Sequence, residues 1–228
     1  MRFRDQDIVF ANGSKGQNFE IPTANPLNYF HAISRSAELP GLSIDGKLFL
    51  PPADQRKADG KFPLVMVVPG SLGVAPPHLA HAEALVGDGF AAFVLDSFGA
   101  RDVTSTVANQ TQFSFASSAY DVLAAWQVLA AHPQIDAARI GAQGHSRGGS
   151  AVMTAAARRF ADAVVGKGAV SDACSRPIPG AAISSSIQPS AIPKSVSSWA
   201  MPTNGVRRCR CKAIARRSAL PAARSRCG

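Results

Sequence analysis

Between residues 40 and 165 the chain alternates short apolar runs with longer stretches in which apolar positions return every three or four residues. "LSIDGKLFLPP" (42 to 52) switches apolar and polar at period two and ends in a double proline, which predicts an antiparallel edge strand. "FPLVMVVPGSLG" (62 to 73) is too short for a helix, rich in β-branched residues and bounded by glycine, as a strand buried on both faces should be. "PPHLAHAEALVGDGF" opens with prolines, carries apolar residues at 79, 82, 85 and 86 and closes on glycines, predicting a short amphipathic helix. "FAAFVLDSFG" is a second buried strand that runs into a polar loop. "SFASSAYDVLAAWQVLAAHP" (114 to 133) places Tyr120, Leu123, Trp126 or Gln127, and Ala130 at helical spacing, with His132-Pro133 as the stop. "ARIGAQGHS" gives a third buried strand, and residues 147 to 163 a third helix.

Strand, helix, strand, helix, strand, helix, in units of the size a right-handed crossover needs, predicts an α/β protein: a doubly wound, mostly parallel sheet with helices on both faces. No internal repeat is visible. Three regions are expected: residues 1–40, an N-terminal extension or first strands; 41–166, the α/β core; and 167–228, a basic tail rich in Ser, Pro, Ala and Arg that lacks periodicity and is expected to be disordered.

The charge of the chain changes how that tail is read. The whole is +9, yet residues 1 to 162 hold 13 Lys+Arg against 14 Asp+Glu, and the remainder holds 11 Lys+Arg against the single acid Asp172. A basic tail raises nucleic-acid binding as a possible function. Against it, the tail has one aromatic, Trp199, and no helical stripe of arginines, so it offers no stacking platform. All four cysteines, Cys174, Cys209, Cys211 and Cys227, also lie there. The Cys-Arg-Cys spacing is one residue, shorter than zinc sites use, and no histidine is near, so no metal site is expected. The abrupt onset of Arg, Ala, Pro, Ser and Cys near residues 167 to 172 is the composition that out-of-frame translation of a high-GC gene produces. The N-terminus lacks an apolar core of the kind an export signal carries, and no apolar run is long enough to span a bilayer. A soluble, cytoplasmic protein without membrane partners is the expectation.

The chemistry concentrates at Gly144-His145-Ser146-Arg147-Gly148, a G-x-S-x-G sequence set between a strand and a helix, the context of a nucleophile elbow. Ser146 is the candidate nucleophile. Gly144 and Gly148 leave room where a side chain would strike neighbouring backbone, and His145 completes the turn. Acyl transfer also needs donors for a developing oxyanion. The backbone N–H of Arg147, at the positive end of a helix, is one candidate, and the amide of Ser71 in "VVPGSLGV" is the other. A competing reading makes Ser146 an ordinary helix cap in a small-residue turn.

"VVPGSLGV", "FAAFVLDSFGARD" and "GAQGHSRGG", in that order and spacing, resemble the dienelactone hydrolase family of the α/β-hydrolase fold over roughly residues 40 to 165. The resemblance implies hydrolysis of a carboxylic ester or lactone, a small-molecule substrate, no metal or organic cofactor, and a nucleophile followed in chain order by an Asp and a His. The family uses Cys where this chain has Ser146, so an esterase-like member is the closer analogy. The five histidines, His31, His78, His81, His132 and His145, all precede Ser146. The later carboxylates are Asp162, at the end of the elbow's own helix, and Asp172. A hydrolase by ancestry with impaired activity is therefore expected, and an inactive binding protein of the same fold is the alternative. His78 and His81 are expected to be satisfied structural residues, Asp96 to cap its loop, and Arg101 to pair with Asp102.

Overall fold

The computed structural model of the protein describes residues 2–35, 38–55 and 60–167. These fall within the first of two units into which the chain divides, residues 1–188 and 189–228. The basic tail, with its four cysteines and Asp172, lies outside the described residues.

Among the described residues five strands form one sheet: β1 (Gln17–Ala24), β2 (Gly41–Phe49), β3 (Phe62–Val68), β4 (Ala91–Asp96) and β5 (Ile135–Gly144), in the order β1-β2-β4-β3-β5. The helices are α1 (Tyr29–Ser34), α2 (Pro76–Gly87), α3 (Phe115–Ala130), α4 (Arg147–Ala155) and α5 (Arg158–Val165). β3 and β4 are buried at every position, which is why they read as unbroken apolar runs.

Side-chain alternation divides the core in two. Leu64, Met66, Val68, Phe93 and Leu95 pack with buried residues of α3, α4 and α5. Val67, Ala92 and Val94 face the other way, onto Ala82 and Val86 of α2 and Phe3 and Phe10 of the N-terminal segment. Helices on both faces make the fold doubly wound, as expected. The sheet itself is mixed: β3 pairs in parallel with β4 and β5, while β2 pairs antiparallel with β1 and with β4.

Three details differ from the sequence expectation. β5, expected to be a buried strand, ends the described sheet, and only its Ile135, Ile140 and Gly144 are buried. β2 is antiparallel but not an edge, because β1 pairs with it from Gln17↔Leu48 to Ala24↔Gly41. The proline that marks the edge is Pro22, exposed in β1, where a missing N–H costs no ladder bond. The segment expected to form one helix over 147 to 163 is two. Ala157 is extended (φ −70°, ψ 116°), and the bend turns Phe160 and Ala161 of α5 into the core, leaving Arg158 and Arg159 exposed.

The N-terminal residues are fixed by a buried lysine. Lys47 in β2 donates from Nζ to the Arg4 carbonyl oxygen at 3.0 Å and to Asn18 Oδ1, and lies 5.3 Å from the Phe3 ring centroid. Burial pushes its ammonium below the ordinary lysine range.

Candidate active site

β3, β4 and β5 end at one edge of the sheet, with Val67 paired to Val94 and Val68 paired to Gly144. This carboxyl edge is where open α/β sheets bind ligands. Ser146 follows two residues after the end of β5, at the N-cap of α4, with φ 52° and ψ −116°. That region is strained for a residue with a Cβ, and serine holds it only because its surroundings dictate it. The flanking glycines are part of that constraint. A Cβ on Gly148 would run into the Val68 and Pro69 carbonyl oxygens, and one on Gly144 into the backbone of Gly148. Although Ser146 occupies the N-cap position, its hydroxyl makes no cap hydrogen bond, and the residue is exposed. The helix-cap reading of Ser146 thus finds no bond to support it.

The loop after β3 lies against the elbow. A Cβ on Gly70 would sit 2.9 Å from the His145 carbonyl oxygen and 3.4 Å from Ser146 Cβ, so glycine is required for this close approach. The His145 amide donates to the Val68 carbonyl at 3.3 Å, and a turn from Gly70 to Gly73 carries Ser71 past that contact. Ser71 is held by the loop of residues 105–110: its carbonyl accepts from the Thr106 amide at 2.8 Å and from Ser105 Oγ at 3.2 Å, and its hydroxyl meets the Gln110 side chain at 3.0 Å.

The Arg147 side chain turns away from the solvent edge and is 3% exposed. Its guanidinium donates to Ser118 Oγ (3.1 Å), to the Gln110 carbonyl (3.0 Å) and Oε1 (3.2 Å), and to the Phe113 carbonyl (2.6 Å). The rings of Phe113 and Phe115 each lie 4.3 Å from it. Desolvation, and then the charge of Arg101, holds its pKa below the ordinary arginine value. The backbone amide at this position was legible from the motif; the buried side chain was not, although two phenylalanines spaced by one residue offered a hint.

Four of the histidines have partners away from the elbow. His78 is buried in the first turn of α2, where Nδ1 accepts from the Ala75 amide at 3.1 Å, and His81 Nε2 bonds Gln143 Oε1. His145 faces His78 edge to face at 5.5 Å, with its buried Nδ1 unpartnered among the described residues. His31 Nδ1 accepts from the Leu27 amide, and His132 packs against Phe19. Of the carboxylates, Asp96 accepts from the amides of Phe98 and Gly99 at 2.9 and 3.2 Å, capping the loop after β4. Asp162 pairs with Arg158 at 3.5 Å. The expected pairing of Arg101 with Asp102 is not found. Arg101 reaches Asp121 of α3 at 2.8 Å inside the core, whereas Asp102, in a left-handed conformation that points it outward, pairs with Arg2 at 2.9 Å. Sequence adjacency suggested the wrong partner because the turn sends the two side chains in opposite directions.

A cavity of about 510 Å³ opens beside Leu72, lined among others by Phe3, Leu79, Phe98 and Asp96. Among the described residues no group of three or more His, Cys, Asp or Glu is placed to hold a metal ion, and no helix is long and apolar enough to cross a membrane.

Two wound faces, the strained serine between strand and helix, and the adjoining β3 loop give the chain the architecture of the α/β-hydrolase fold. A family model described as the prolyl oligopeptidase family matches residues 80–174. No curated protein matches the chain. Among solved structures it is similar to a dienelactone hydrolase-like promiscuous phosphotriesterase from metagenomic libraries, with 20% identity, a TM-score of 0.43, and coverage of 62% of this chain and 54% of that one. It is also similar to the esterase Est22 (17% identity, TM-score 0.45, 63% and 38%) and to a hypothetical protein from Pseudomonas aeruginosa (19%, 0.47, 70% and 44%). The chain spans about half, or less, of the length of these structures.

Proposed function

We propose that the chain carries a serine ester-hydrolase site of the dienelactone hydrolase type, with Ser146 as nucleophile and the backbone amides of Ser71 and Arg147 as oxyanion donors. The observation that carries this reading is the backbone of Ser146: a strained conformation, at a helix N-terminus, holding up a hydroxyl that caps nothing. Strain of this kind persists where position matters more than local energy. The substrate class is a carboxylic ester or lactone of small size. Ser146 Oγ would bond to the acyl carbon, its proton passing to a base as the carbonyl oxygen takes up negative charge beside the two amides. The alkoxide would then depart and water would release the acid.

Among the described residues no histidine is bonded to Ser146: His78 and His81 bond Ala75 and Gln143, and the buried Nδ1 of His145 has no partner. In the absence of a base, the oxyanion donors and binding alone would supply roughly 10³ to 10⁴ over water. The unpaired Ser146 hydroxyl also supports a second reading, a pocket that binds an ester without turning it over.

The test is labelling of the full chain with a fluorophosphonate probe, alongside p-nitrophenyl acetate hydrolysis. Labelling of wild type and none of Ser146→Ala is expected, with slow turnover. Absence of labelling in wild type, together with saturable binding of an ester, would favour the binding reading.

A further inference from the structure

Resting on the site reading above, we propose that Gln110 is a positioning residue that ties the two halves of the oxyanion site together through side chains. The two donors proposed for the oxyanion come from segments far apart in sequence, and a pair of amides is useful only at a fixed separation. Ser71 and Arg147 share one partner. The Gln110 amide nitrogen donates to Ser71 Oγ at 3.0 Å, while its Oε1 accepts from Arg147 Nη1 at 3.2 Å and from Thr106 Oγ1 at 3.3 Å. Its backbone carbonyl accepts from the same Arg147 nitrogen at 3.0 Å.

The anchorage of this bridge is unequal at its two ends. Arg147 is caged by Phe113, Phe115 and Ser118, and Thr106 is fully buried with its amide on the Ser71 carbonyl. Leu72, next to Ser71, is 68% exposed and so adds little burial to hold the loop. Beyond the close approach of Gly70 to the elbow, the β3 loop takes its position from the Gln110 side chain, the Thr106 amide and Ser105 Oγ. Gln110 itself is exposed, so its four bonds are not needed to satisfy a buried amide. Their placement is what they contribute.

The experiment compares wild type, Gln110→Ala and Gln110→Glu in the full chain, reading hydrogen exchange over residues 69–74 and the rate of fluorophosphonate labelling at Ser146. Glutamate keeps the acceptor for Arg147 and lets the Ser71 hydroxyl donate instead of accept. Gln110→Ala is expected to exchange faster across the β3 loop and to label about tenfold more slowly. The thermal midpoint should stay unchanged, and Gln110→Glu should recover both readouts. Unchanged exchange in Gln110→Ala overturns the bridge, as does faster exchange with undiminished labelling. If wild type does not label, the site reading fails, and exchange alone decides whether Gln110 holds the loop.

Discussion

The Arg147 guanidinium both stacks over the Phe113 ring, 4.3 Å from its centroid, and donates to the Phe113 carbonyl at 2.6 Å. One buried cation thus fixes the start of α3 to the residue after the elbow serine. Its partners are all neutral, so its worth lies in geometry and in the acceptors it satisfies. Replacing it by alanine strands the Phe113 carbonyl and opens a cavity between two rings, and should cost about 3 kcal/mol. Arg147→Lys should also destabilise, because an ammonium cannot reach Ser118, Gln110 and Phe113 together. Chemical denaturation of the two variants against wild type checks both.

Gly148→Ala places a methyl group on the Val68 and Pro69 carbonyl oxygens, backbone atoms that have nowhere to move. A loss of about 3 kcal/mol is expected, with the urea midpoint lowered. Gly87→Ala, whose added Cβ would meet nothing within 4 Å, serves as the control and should leave the midpoint close to that of wild type.

At Ser146 the strain is separable from the chemistry. Glycine accepts φ 52° without penalty, so Ser146→Gly should be more stable than wild type by about 1 kcal/mol. Ser146→Ala keeps the penalty and should match wild-type stability. Both should lose labelling. Equal stability of the glycine and alanine variants would show that the serine backbone is unstrained.

Burial, and then the neighbouring His145, holds the His78 imidazole below its ordinary value of 6.5. On acidification the unfolded chain takes up this proton near 6.5, and the folded chain only at lower pH. The contribution of His78 is therefore whole above about 6.5 and lost as pH falls below it. Asp45, pushed up by burial, works in the opposite sense at lower pH. The quantity to measure is the difference in unfolding free energy between wild type and His78→Asn, whose carboxamide can still accept from the Ala75 amide. That difference should shrink between pH 7.5 and 5.5.

The central strands and the elbow were legible because their signals are local. β3 and β4 are short apolar runs, and Gly144 and Gly148 announce the tight turn around Ser146. What was not legible depends on long-range pairing. Whether residues 1–40 held an extension or first strands stayed open, because "QNFEIPTA" alternates imperfectly and contains a proline; its partner along β2 makes β1 a strand. The break between α4 and α5 leaves no mark in an alanine-rich run and is set by the pull of Phe160 into the core. Arg101 found Asp121 rather than Asp102, and Gln110 drew no notice in a polar loop, since bonds across 20 or 37 residues carry no sequence signature.

The carboxylate of Asp121, wholly enclosed in α3, is shared by Arg101 from the loop after β4 and by Thr23 from β1, whose hydroxyl donates to it at 2.8 Å. An outer strand usually peels away first when a sheet frays. Here, detaching β1 would strip a donor from an enclosed anion and admit water to its pairing with Arg101. Departure of the first strand should therefore loosen the loop at the carboxyl edge as well, which makes the opening residues a keystone of that edge rather than its margin.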